Sequence, residues 1–310
     1  MKYDFKNIIG CELTIKSMRA DINHGRIGHA YVLEGLKGAG KRLLALTFAK
    51  SVLCEKGGHP CGVCKSCITL ESGNHIDIIF VRSTKKTASL GIDDIRDQIN
   101  SVANILPYAS SRRIFIVENA ESMTVSAQNA LLKTLEDGPK SNIFLLLASN
   151  SAFLLPTILS RCVLYKIPPI PQNRIAKHLL AANVPQKTAE SAAIHSGGTI
   201  GQAYALANDE GFTALCDKSE NLAKTLKSID IVSLFAAAKD LEQHKDQIGL
   251  ILDILQNYYR NILIENLNEE INTNYIKNIR NIDESRKKLK QNCNFLLTME
   301  IMLLKLSGKR

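Results

Sequence analysis

The sequence predicts an α/β part followed by an all-α part. Three observations carry this. Short apolar runs alternate with helical patterns as far as residue 167. A proline-rich break, KIPPIPQ at 166–172, ends the alternation. No proline follows Pro185, and helical periodicity takes over from about residue 213. Strand and helix in alternation imply a parallel sheet covered on both faces.

The elements follow in order. HAYVLEG at 29–35, IDIIFVR at 76–82, RRIFIVEN at 112–119 and NIFLLLASN at 142–150 read as buried strands, each bounded by polar or turn residues. A further strand is expected within TILSRCVLYKI at 157–167. GKRLLALTFAKSVL at 40–53 and SAQNALLKTLED at 126–137 read as helices. From about 173 to 210 short helices surround a glycine-rich turn, HSGGTIGQAYAL at 195–206. DQIGLILDILQNYYRNILIENL at 246–267 typifies the helical remainder.

Composition narrows the function classes. A chain of 310 residues suggests two or three domains, and 45% hydrophobic content suffices for real cores. No apolar run is long enough to span a bilayer, so no membrane role is expected. The stretch MKYDFKNIIG carries charge where a secretory signal would be apolar, so a cytoplasmic protein is expected. The net charge of +9 and pI near 9.1 suit a nucleic-acid neighbourhood, and equally a lysine-rich solvated surface. Trp is absent and aromatics are 5%, which argues against stacking platforms for single-stranded bases. Eight cysteines without an export signal argue against a disulfide framework.

Three motifs carry chemistry. In EGLKGAGKRLL at 34–44, Gly35, Gly38, Gly40 and Lys41 match G-x-x-x-x-G-K, between a strand and a helix. Backbone N–H groups at that junction attract phosphate. The next residue should be Ser or Thr, to hold magnesium, and it is Arg42, whose charge repels the ion. A plain glycine turn is the duller alternative. At the end of the strand in IFIVENAES, Glu118 and Asn119 stand where a hydrolase would carry Asp and Glu. An amide cannot act as a base near neutral pH. ATP hydrolysis is therefore not expected.

Cys54, Cys61, Cys64 and Cys67 form C-x6-C-x2-C-x2-C, a spacing that closes a tetrahedral shell around structural zinc. Free thiols or an iron–sulfur cluster are the alternatives, and His59 only decorates this knuckle. The third motif is Ser160-Arg161-Cys162, weak by itself.

GRIGHAYVLEGLKGAGK, the four-cysteine knuckle, RRIFIVENAESMTVSAQNALLKTLEDGP and LLPTILSRC occur in order, and the series resembles bacterial clamp-loader subunits of the AAA+ class. The resemblance is strong over roughly residues 6 to 170. It implies an AAA+ domain at 1–167 with the knuckle at 54–67, a helical lid at 168–212 and a helical collar at 213–310. Two kinds of chain in that family are similar: the ATP-hydrolysing gamma/tau kind and the delta-prime kind. Arg42, Glu118, Asn119 and Gln202, the last where a nucleotide-sensing Arg is expected, all depart from the gamma/tau pattern. The resemblance to delta-prime implies a non-hydrolysing subunit of DNA polymerase III. Its partners would be gamma/tau and delta subunits, the sliding clamp and primer-template DNA. Arg161 would reach in trans toward ATP on a neighbouring gamma/tau subunit. ATP in this chain's own loop is expected to bind weakly or not at all. The competing readings are an active gamma/tau-type ATPase and a zinc-containing DNA-binding module, the latter leaning on the basic run KNIRNIDESRKKLKQN at 277–292.

Overall fold

The computed structural model describes residues 3–84, 89–265 and 269–309. They form two compact units, Met1–Pro171 with Gly198–Gln202, and Gln172–Gly197 with Ala203–Arg310.

The first unit holds strands β1 (Ala30–Glu34), β2 (Ile78–Val81), β3 (Arg113–Val117), β4 (Asn142–Ala148) and β5 (Val163–Lys166). All pair in parallel, in the order β2-β3-β4-β1-β5. In register, Leu33 of β1 lies opposite Leu147 of β4 and Tyr165 of β5. Nearly every residue of β1, β3 and β4 is buried, which is why these strands read as unbroken apolar runs rather than alternating ones.

Helices cover both faces. Helices α1 (Glu12–Asn23) and α2 (Lys41–Leu53) bring Met18, Leu44 and Phe48 against Tyr31, Leu33, Ile116 and Leu145. Helix α3 (Lys65–Glu71) follows the knuckle. On the other face α4 (Val125–Asp137) lays Leu131 and Leu135 on Val32, Phe115 and Leu146. Thr124 caps α4, its hydroxyl accepting from the Ala127 N–H at 3.2 Å. The chain leaves β1 for the far edge, steps back through β3 to β4, then crosses β1 to reach β5. The strand order therefore reverses at β1, the kind of place where open α/β sheets bind ligands at the carboxyl ends of their strands.

In the second unit α5 (Gln172–Ala181), α6 (Gln186–His195) and α7 (Ile200–Ala207), whose first residues group with the first unit, precede a helical bundle. That bundle comprises α8 (Phe212–Thr225), α9 (Ile231–Gln243), α10 (Ile248–Glu265), α11 (Glu269–Lys290) and α12 (Phe295–Ser307). Leu234, Ile251, Leu255, Ile282, Met299 and Leu303 fill its core. Asp230 and Asn294 cap α9 and α12 with side-chain oxygens. The basic run at 277–292 falls largely on α11, where Arg286 pairs with Asp253 of α10 at 2.6 Å. Among the described residues no helix is long and apolar enough to cross a membrane.

Candidate functional site: a phosphate loop, a cysteine knuckle and an exposed arginine

The glycine loop lies at the carboxyl end of β1, at the reversal of strand order. Gly38 and Gly40 sit at φ +83° and +88°, a region glycine enters without the cost of a Cβ. Lys41 turns back on its own loop: its ammonium donates to the carbonyls of Gly35 and, at 3.0 Å, Leu36. Burial lowers its pKa, and the charge of Glu121 partly opposes that. The Gly201 N–H donates to the Gly38 carbonyl at 2.9 Å. A Cβ on Gly201 would lie 2.9 Å from that same oxygen, and one on Gly38 would lie 3.0 Å from Thr199 Oγ1. Thr199, Gly201 and Gln202 thus lie against the loop, the Gln202 backbone nitrogen 3.1 Å from where a Gly38 Cβ would be.

Glu118, just beyond β3, is held by two guanidinium groups. Arg42 Nε lies 3.2 Å from its Oε1, and Arg82 Nε donates to Oε2 at 2.8 Å. Both guanidiniums also stand over the ring of Phe80, at 4.9 and 5.2 Å. This carboxylate is therefore neutralised from within the chain, and a divalent cation arriving there meets two positive charges. Arg42 was legible as a departure from the motif; Arg82 and Phe80 were not. Asn119 adopts φ 52°, ψ 50°, the left-handed conformation Asn tolerates, and its carbonyl accepts from Ser122 N–H at 2.8 Å. Here the residue makes a turn.

The four cysteines converge, their sulfur atoms all within 4.8 Å of one another. Cys54 ends α2 and Cys64 caps α3, while Gly57, Gly58 and Gly62 take left-handed turns between them. The N–H groups of Cys61, Cys64 and Cys67 donate to the sulfurs of Cys54, Cys61 and Cys64, each at 3.4 Å. N–H donors of Val63 and Cys64 pull the Cys61 thiol down to about 6, whereas burial pushes Cys67 up to about 12. Cys61 and Cys67 sulfurs lie 3.9 Å apart, close to the roughly 3.8 Å that a tetrahedral shell with 2.3 Å metal–sulfur bonds requires. The donor set and its backbone N–H···S support fit a metal ion closed to solvent ligands. Buried Lys50 of α2 ties the far end by donating to Glu71 of α3.

Arg161 follows a short turn, Pro156–Leu159, and its side chain is 38% exposed. One nitrogen donates to the Thr157 carbonyl at 3.0 Å and to Ser160 Oγ at 3.3 Å; the other pairs with Glu136 of α4 at 2.6 Å. Cys162 packs against the adjoining core, and burial pushes its thiol up to about 12. Within the triplet the serine and cysteine anchor the turn and the arginine projects from it. Glu136 lies within NALLKTLE, so two motifs separate in sequence meet here; spacing alone did not reveal that contact.

The parallel sheet, the glycine loop at its strand-order reversal and the acid at the end of β3 define an α/β phosphate-loop domain. A family described as "DNA polymerase III, delta subunit" matches residues 10–171, more than half of the chain. The chain belongs to that family, a family of clamp-loader subunits. DNA polymerase III subunit delta' of Bacillus subtilis is 31% identical over 223 residues, covering 70% of this chain and 64% of that one. Subunit tau/gamma of Haemophilus influenzae is 32% identical over 177 residues, covering 56% and 25%. Subunit delta' of Pseudomonas aeruginosa is 36% identical over 165 residues, covering 53% and 50%. The matches thus span 25% to 64% of these relatives' own lengths. A crystal structure of a gamma subunit-related protein from Thermotoga maritima covers 96% of this chain and 98% of that one, at 22% identity and a TM-score of 0.47.

Proposed function

We propose that this chain is the non-hydrolysing, delta-prime-like subunit of a replicative clamp loader, acting on its neighbour's nucleotide rather than its own. The observation that carries the reading is the Arg42–Glu118–Arg82 cluster: the position a magnesium ion needs is filled by this chain's own cations. Asn119 supplies no base, and Lys41 is engaged by the loop it would use to hold phosphate. ATP binds this loop weakly or not at all. The relatives include both delta' and tau/gamma chains, so the active-ATPase reading is the rival, and it would require Glu118 to release both arginines.

In this reading Arg161 supplies the chemistry. Its guanidinium enters the ATP site of an adjacent gamma/tau subunit and stabilises charge on the transferred phosphoryl group, an effect worth a factor of about 10³ to 10⁵ in comparable systems. Lysine is no substitute, because the planar fork is lost. Cys54, Cys61, Cys64 and Cys67 hold structural zinc, which stabilises the connection between α2 and α3 and does no catalysis. Residues 168–212 serve as the lid and 213–310 as the collar, with gamma/tau and delta subunits as neighbours. The sliding clamp is reached through the complex, the primer-template DNA is met through its phosphate backbone, and the setting is cytoplasmic.

The test compares ATP turnover of the isolated chain, the complete complex with clamp and primed DNA, and the same complex carrying Arg161→Ala. An inert isolated chain and a complex slowed by Arg161→Ala support the reading. Turnover by the chain alone returns the gamma/tau reading, and a complex indifferent to Arg161→Ala removes the role of that arginine.

A further inference from the structure

Glu136 has no reason of its own to carry a carboxylate where it stands. It lies in the last turn of α4, beside Asp137, and no basic residue occupies that turn. Helix carboxyl ends favour cations, so two acids there oppose the helix dipole. The compensating charge comes from outside the helix, from Arg161 at 2.6 Å. The guanidinium is fixed at three points: Glu136 on one nitrogen, and the Thr157 carbonyl and Ser160 Oγ on the other. Of its five N–H donors these contacts engage three, which leaves two for phosphoryl oxygens. Both partners are half-exposed, Arg161 at 38% and Glu136 at 40%, so the pair stands at the surface and not inside a core.

We propose that Glu136 is the positioning residue for Arg161, its carboxylate holding the guanidinium in the orientation that reaches a nucleoside triphosphate on a neighbouring subunit. The inference rests on the trans-acting reading of Arg161 given above. An unheld arginine samples many rotamers, and its productive one is then sparsely populated. Glu136 removes that freedom before the neighbour arrives and leaves the outer donors free. It touches no substrate itself.

The experiment measures kcat and KM for ATP in the assembled complex, with clamp and primed DNA. The variants are Glu136→Ala, Glu136→Gln, Arg161→Ala and the Glu136→Ala/Arg161→Ala pair. Glu136→Ala is expected to lower kcat by about threefold to thirtyfold, the rotamer freedom of a released arginine setting the upper bound. KM changes little, and Glu136→Gln, which keeps an acceptor without its charge, recovers part of the loss. In the Arg161→Ala background Glu136→Ala adds nothing. Wild-type kcat in both Glu136 variants, with Arg161→Ala slow, overturns the positioning role while the arginine's own role stands. An equal loss from Glu136→Ala in the Arg161→Ala background assigns a merely structural role and also overturns it. A rise in kcat overturns it as well, since Glu136 would then restrain the arginine. If Arg161→Ala itself changes nothing, the trans-acting reading fails and takes this inference with it. Chain folding is monitored by thermal unfolding, which a half-exposed surface substitution leaves nearly unchanged.

Discussion

Replacing Glu118 with glutamine tests whether the acid just beyond β3 is an internal counter-ion. In the folded chain its two oxygens face Arg42 at 3.2 Å and Arg82 at 2.8 Å, and its side chain is 21% exposed. Each pair has an arginine more than half exposed, so each contributes about 0.2–1 kcal/mol. Glu118→Gln also leaves two guanidiniums over one Phe80 ring with no charge between them. The combined loss is about 0.4–2 kcal/mol, or roughly 1–8 °C in the unfolding midpoint of a unit this size. Thermal unfolding of wild type, Glu118→Gln, Arg42→Ala, Arg82→Ala and the paired variants gives the coupling of each arginine to the acid. Raising salt to about 1 M, where screening acts within about 3 Å, should shrink the difference between wild type and Glu118→Gln. Magnesium at millimolar levels should leave the wild-type midpoint where it is. A midpoint that Glu118→Gln does not change, together with a magnesium-dependent rise in wild type alone, would overturn the counter-ion account. The acid would then be a metal ligand.

Other outcomes follow from the same geometry. Chelator at mildly acidic pH should release one metal ion per chain and leave four titratable thiols at 54, 61, 64 and 67; metal analysis with thiol counting checks this. Gly201→Ala places a Cβ 2.9 Å from the Gly38 carbonyl and should cost about 1–3 kcal/mol by overpacking, read by denaturant unfolding. Asp77 is fully buried, accepts from the N–H groups of Tyr108, Ala109 and Ser110, and lies 3.8 Å from buried Arg113; Asp77→Ala should destabilise by about 3–5 kcal/mol. Burial lowers the pKa of His75 and His195 below the ordinary 6.5. The unfolded chain therefore takes up protons that the folded chain refuses, so stability present above pH 6.5 falls as pH drops through that value toward the depressed ones. His195→Gln should flatten part of that fall in a pH series of unfolding midpoints.

The strands, the glycine loop and the cysteine set were legible in the residues alone. A strand buried on both faces must be apolar throughout, as in NIFLLLASN, and its ends are marked by polar residues; that signal is local. The C-x6-C-x2-C-x2-C spacing lies in one short segment, and the strand–loop–helix order around Gly35 to Lys41 is contiguous. Arg42, Glu118 and Asn119 could likewise be read as departures from a pattern, one position at a time. What replaced the missing chemistry emerges only in three dimensions. Arg82 reaches Glu118 because β2 and β3 are neighbours, and no periodicity announces which strands pair. Gly201 lies on the phosphate loop although it is remote from it in sequence, a closeness that only the absence of a side chain on both glycines permits. Glu136 meets Arg161 because the last turn of α4 and the turn before β5 lie side by side. Sequence patterns report what each residue requires of its own segment. Charge pairing between segments is set by the packing of the sheet and its helices, and that is where this chain's acid and arginines find their partners.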